Sequence, residues 1–145
     1  MTGAAASGTG VQINSDNHGA ARYSYCPTDN ASQRVETPME NQGLGVLCTV
    51  PDRDTAHAIA ERVVEEGLAA CVNILAEVTS IYRWQGKVEK QQEVLLVIKT
   101  REQRYQALQE RIRNLHPYEL PEIIAVPIVN GLAGYLAWLG DATGT

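Results

Sequence analysis

Tyr82-Arg83-Trp84-Gln85-Gly86-Lys87 decides the fold. Gln85-Gly86 is a two-residue turn flanked by strand-forming residues, the pattern of a tight hairpin. Outward from the turn, Cys71 to Trp84 reads as one long strand and Lys87 to Lys99 as its return. The alternation breaks at Leu75-Ala76, where an irregularity is expected. Strands of roughly thirteen residues far exceed the usual five or six, so the arm should project beyond its own domain. At the base of the return, Val94-Leu95-Leu96-Val97-Ile98 is apolar at every position. Both faces of that segment should therefore be dry.

The flanking segments complete the topology. Leu44 to Val50 is an apolar strand ended by Pro51-Asp52-Arg53-Asp54, with Asp54 or Thr55 as the expected helix cap. Ala56, Ile59, Ala60, Val63, Val64 and Leu68 recur at helical spacing, and Gly67 marks the end of that helix. Beyond the hairpin, Thr100-Arg101-Glu102-Gln103 has capping-box form. Tyr105, Leu108, Ile112 and Leu115 stripe a second helix that His116-Pro117 stops. Ile123 to Val129 is the fourth strand and Leu132 to Leu139 a closing helix. The order βαββαβ with an added C-terminal helix predicts an α+β, ferredoxin-like antiparallel sheet with helices on one face. Strands one and three should be central. Pro127 suits an edge position for strand four, since proline cannot donate to a ladder.

Helices on one face leave the other uncovered, although Val46, Leu47, Ile123 and Ile124 join Val94–Ile98 in asking for burial. A large bare apolar face is unusual on a monomer. A further copy of the same chain is the expected cover, and so an obligate oligomer.

Composition narrows the function. The chain has 145 residues and a formal charge of −5, one domain by size. Without a concentrated basic face, nucleic acid is not the expected partner. No apolar run approaches the roughly 20 residues of a membrane span, and Met1-Thr2-Gly3-Ala4-Ala5-Ala6 lacks the form of a secretory signal. Cys26, Cys48 and Cys71 are odd in number and widely spaced, which fits a reducing cytoplasm. Residues 1–43 are rich in Gly, Ala, Ser, Asn and Thr and read as a disordered extension. Cys26 and His18 belong to that tail, and Met39 is an alternative translation start. The folded domain is expected over residues 44–145. There is no C-x-x-C of a soft-metal chaperone, no Phe for an RNA-recognition sheet, no Gly-rich phosphate loop and no G-x-S-x-G. An arginine-bearing anion loop of acylphosphatase type is missing after the first strand. Binding rather than catalysis is the expectation.

His116-Pro117-Tyr118-Glu119-Leu120-Pro121-Glu122 carries the densest chemistry, an imidazole, a phenol and two carboxylates on a loop stiffened by two prolines. Read with Leu47-Cys48-Thr49-Val50-Pro51, Leu68-Ala69-Ala70-Cys71-Val72-Asn73, Tyr82–Lys87 and Tyr135-Leu136-Ala137-Trp138-Leu139, it closely resembles the CutA family of divalent-cation tolerance proteins, from about Leu44 to Asp141. The resemblance implies a cytoplasmic homotrimer with its sheets packed inward, serving the response to metal ions. It also implies copper or another divalent cation, weakly bound, at Cys48 and a His-His pair before Pro-Tyr. This chain keeps His116 and has Leu115 in place of the first histidine. Two ligands are too few for a tight tetrahedral site, so Glu119, Glu122 or a neighbouring subunit must complete the shell.

The residues themselves leave plainer readings open. Cys48 is either a ligand or a small buried hydrophobe. Lys99 is either a solvated strand-end charge or, near Tyr118 or Glu122, an anchor for an anionic ligand. Trp84 and Tyr82 either pack an interface or line a ligand cage, and Cys71 and His57 read as structural. Topology predicts that Cys48 and His116 face one cleft, with Tyr118 and Glu122 on its walls. The alternative function is a small-molecule sensor like the trimeric PII nitrogen-regulatory proteins, holding an anionic metabolite at the subunit interface.

Overall fold

The computed structural model describes residues 42–144. The expected disordered tail, with His18, Cys26 and Met39, lies outside the described residues apart from its last two positions. Gly43 already belongs to the first strand.

The elements are β1 (Gly43–Val50), α1 (Arg53–Glu65), β2 (Cys71–Trp84), β3 (Lys87–Arg101), α2 (Glu102–Leu115), β4 (Ile124–Pro127) and α3 (Ala133–Ala142). The sheet is antiparallel in the order β2-β3-β1-β4. β3 and β1 are central, as expected, and Pro127 sits on an edge strand.

Alternation separates the two faces of this sheet. Leu44, Val46, Cys48 and Val50 of β1 and Val94, Leu96 and Ile98 of β3 are buried with Ala56, Ile59 and Val63 of α1 and Leu108 and Ile112 of α2. Gly45, Leu47, Leu95, Val97, Ile124 and Val126 fall on the opposite face by register. Neither α1 nor α2 covers that face, and Leu75, Ile124 and Val126 remain 44%, 49% and 50% exposed.

The helix caps differ from the sequence expectation. Asp52, not Asp54 or Thr55, caps α1, accepting from the Thr55 backbone N–H at 2.7 Å. That hydrogen bond holds its carboxyl below the usual range. The capping box at Thr100 does not form. The Thr100 side chain faces the core, where its hydroxyl donates to the Leu68 carbonyl at 2.6 Å, and α2 starts after Arg101 without a side-chain cap. The core position takes the hydroxyl away from the helix end.

The hairpin turn is left-handed at both central residues, Gln85 (φ 47) and Gly86 (φ 79), the form that matches strand twist. The break in β2 lies between Leu75 and Val78, with Glu77 at φ 60. Past this bulge, Val78–Trp84 and Lys87–Glu93 pair only with each other, because β1 stops at Val50 opposite Val94. The projecting arm is therefore two strands wide and largely exposed.

Candidate functional site

Between the hairpin arm and the proline-braced loop after α2 lies a cleft of about 740 Å³, lined by Tyr82, Trp84, Gln91, Glu93, Tyr118 and Glu122, with Glu119, Leu120 and Thr49 also contributing. The loop is held from inside. The Tyr118 backbone N–H donates to His116 Nδ1 at 3.0 Å, so Nδ1 is an acceptor. The proton is then on Nε2, which donates to the Thr49 carbonyl at 2.8 Å. His116 is buried and its ring packs against that of Tyr118.

A directed chain of hydrogen bonds crosses the cleft. Tyr82 Oη donates to Gln91 Oε1 at 3.0 Å, and Gln91 Nε2 donates to Tyr118 Oη at 3.1 Å. Tyr118 Oη in turn donates to Glu93 Oε1 at 3.1 Å. Burial, and then the carboxylate of Glu93, push the Tyr118 phenol up to about 12. Tyr118 therefore remains a neutral donor at physiological pH.

Cys48 and His116 converge as the topology predicted, but they do not face the cleft. Both lie behind its wall, meeting at the Thr49 carbonyl, to which the Cys48 thiol points at 3.8 Å. Cys48 is fully buried, and burial followed by the charges of Glu122 and Glu93 pushes its thiol up to about 12. As arranged here the two groups do not fit copper or zinc: both ring nitrogens of His116 are already engaged within the chain, and Cys48 is enclosed in the core. Among the described residues no three His, Cys, Asp or Glu side chains are grouped to hold a metal ion.

Trp84, Tyr118, Glu119 and Glu122 are brought together in the cleft. Lys99 is not. It lies six positions from Glu93 along β3, about 20 Å at the rise of a strand, and its ammonium is bound to Asn73 Oδ1 and the Val97 carbonyl. An anion near Tyr118 is out of its reach. Cys71 lies beside Tyr135 at the same end of the sheet. Leu115, where the resemblance asks for a histidine, is at the surface.

Sequence reading missed Glu93 and Gln91. Both sit in a polar stretch of β3 whose alternation looks like an ordinary solvated arm. The available signal was Glu93 immediately before the apolar run, a carboxylate at the edge of the dry region.

Comparison with known proteins places this domain. Residues 44–142 match the family model of the CutA1 divalent ion tolerance protein. The divalent-cation tolerance protein CutA of Thermus thermophilus is 54% identical over 99 residues, covering 68% of this chain and 96% of that one. The chloroplastic protein CutA of Arabidopsis thaliana is 45% identical over 123 residues, 85% of this chain and 68% of the relative. The structure of the periplasmic divalent cation tolerance protein CutA from Archaeoglobus fulgidus superposes with a TM-score of 0.69 at 33% identity, over 70% of this chain and 99% of that one. The last two names overturn the expectation of a cytoplasmic protein. Domains of this kind are found in the chloroplast and the periplasm, so an odd, widely spaced set of cysteines does not mark the compartment. No helix among the described residues is long and apolar enough to cross a membrane.

Proposed function

The chain belongs to the CutA1 divalent ion tolerance family, and from that premise we propose that it serves the response to divalent cations as a homotrimer that binds and does not catalyse. The observation that carries this reading is the partly uncovered apolar face of the sheet, which α3 reaches only at the end near Cys71 and Arg101. Leu47, Leu75, Leu95, Val97, Ile124 and Val126 share that face, and a patch of this kind is unusual on a monomer. Two further copies, each presenting the same face, bury it about a closed threefold axis.

Any cation is then held by donors from more than one subunit, because no such set is grouped within the described residues of one chain. A hard divalent ion takes carboxylate oxygens and keeps several waters, so it needs neither the thiol of Cys48 nor the ring of His116. The anionic-metabolite reading finds no support in the cleft, whose lining contains no lysine or arginine.

Sedimentation at micromolar concentration, followed by calorimetry with Cu(II), Zn(II) and Mg(II), tests the proposal. A trimer that binds at least one of these ions is expected, with Cys48→Ser binding as the wild type does. A monodisperse monomer overturns the assembly, and a trimer inert to all three ions overturns the metal role.

A further inference from the structure

We propose that the cleft between the hairpin arm and the loop 117–122 is a binding site for an organic cation with two or more amino groups, an aliphatic diamine or polyamine. Glu93 is its centre. It is only 6% exposed and makes no ion pair among the described residues, whose salt bridges are Glu66 with Arg62 and with Arg111. Its Oε1 accepts from Tyr118, the end of a chain in which each donor points toward this carboxylate. No donor is found for Oε2, yet no fully buried side-chain oxygen lacks a partner, so Oε2 opens onto the cleft that Glu93 lines. A nearly buried carboxylate without a cation is costly. A positive ligand offsets that cost.

Size and spacing decide the class of cation. The cleft, at about 740 Å³, is of the size that takes small organic ligands, far more than one ion needs. Glu93, Glu119 and Glu122 all line it, yet they are not grouped to hold one metal ion. Carboxylates that share a wall but not a point suit a chain with separated positive centres. Tyr82, Trp84 and Leu120 line the same cleft, giving aromatic and apolar wall suited to methylene groups and to cation–π contact. Arg113 lies in an adjoining polar depression that shares Tyr118 and Glu119 with the cleft, and it forms no ion pair with Glu93, Glu119 or Glu122.

Calorimetry on the full chain as purified, in its native assembly, tests the assignment with spermidine and putrescine as probes. Mg(II) at matched ionic strength and succinate serve as controls. Saturable binding near one spermidine per subunit is expected, weaker for putrescine, with no comparable heat from either control. Glu93→Gln should weaken spermidine at least tenfold. Because Glu93→Gln can disturb Tyr118, the exposed Glu122→Gln and the wall variant Trp84→Ala are measured beside it, each expected to weaken binding severalfold. Glu61→Gln on the far side of α1 should bind as wild type. Absence of saturable heat overturns the proposal, as do Mg(II) matching spermidine or equal affinities across all four variants. Sedimentation of the same samples reports separately on the assembly.

Discussion

At the residue scale, Cys48 shows how position overrides chemistry. Its residues left it open as a ligand or a small hydrophobe and the family resemblance marked it as a ligand, while in the fold it is fully buried at the sheet–helix interface. The consequence is visible in alkali. The thiol titrates near 9.0 when free and at about 12 in the fold, so above about pH 9 the unfolded chain binds fewer protons than the native one. Stability from the neutral thiol is complete below that pH and is lost as pH rises from 9 toward 12. Urea midpoints of the wild type should therefore fall more steeply between pH 8.5 and about 10.5 than those of Cys48→Ala, which lacks the group. Parallel curves would show that the thiol is not desolvated. His116 has a similar history. The ring that resembles a ligand is a brace, tying the loop to β1 through Thr49 and to itself through Tyr118.

At the element scale the hairpin arm carries strained backbone and lines the cleft. Two of its residues other than glycine have left-handed backbones, Glu77 in the bulge and Gln85 in the turn. The left-handed region costs an ordinary residue roughly 1–2 kcal/mol, and both side chains are exposed. Glu77→Gly and Gln85→Asn should each raise stability by about 0.5–1 kcal/mol, read as a higher denaturation midpoint with an unchanged slope. Losses in place of gains would mean that those side chains make contacts in the assembly. The turn was legible because Gln-Gly between strand formers has few other solutions, and the position of the bulge because alternation fails there. The capping box was not legible. A threonine before a helix looks the same whether its hydroxyl turns to the helix or to the core, and Leu68 decided the matter from the end of α1.

At the scale of the whole molecule, one face of the sheet is dry and the other leaves Leu75, Ile124 and Val126 about half exposed. Ile124→Lys or Val126→Lys places a charge on β4 within the open face, where each native side chain is about half exposed. Either variant should keep its far-ultraviolet dichroism and shift sedimentation from trimer toward monomer, since desolvating an unpaired charge in a packed interface costs several kcal/mol. A variant that stays trimeric would place the interface elsewhere. The sequence by itself determined the order of elements, the central and edge strands, the long arm and the demand for a cover. These follow from periodicity, proline and glycine, which act on neighbours along the chain. Only the tertiary structure decided the site. Gln91 and Glu93 of β3 lie 27 and 25 residues before Tyr118 and meet it because β1 ends early and the loop fills the space beside β3. Cys48 and His116 do meet, but behind the wall, and Lys99 is carried to the far end of the same strand. Which side of a wall a side chain occupies is set by packing between distant segments, and local sequence holds no record of it.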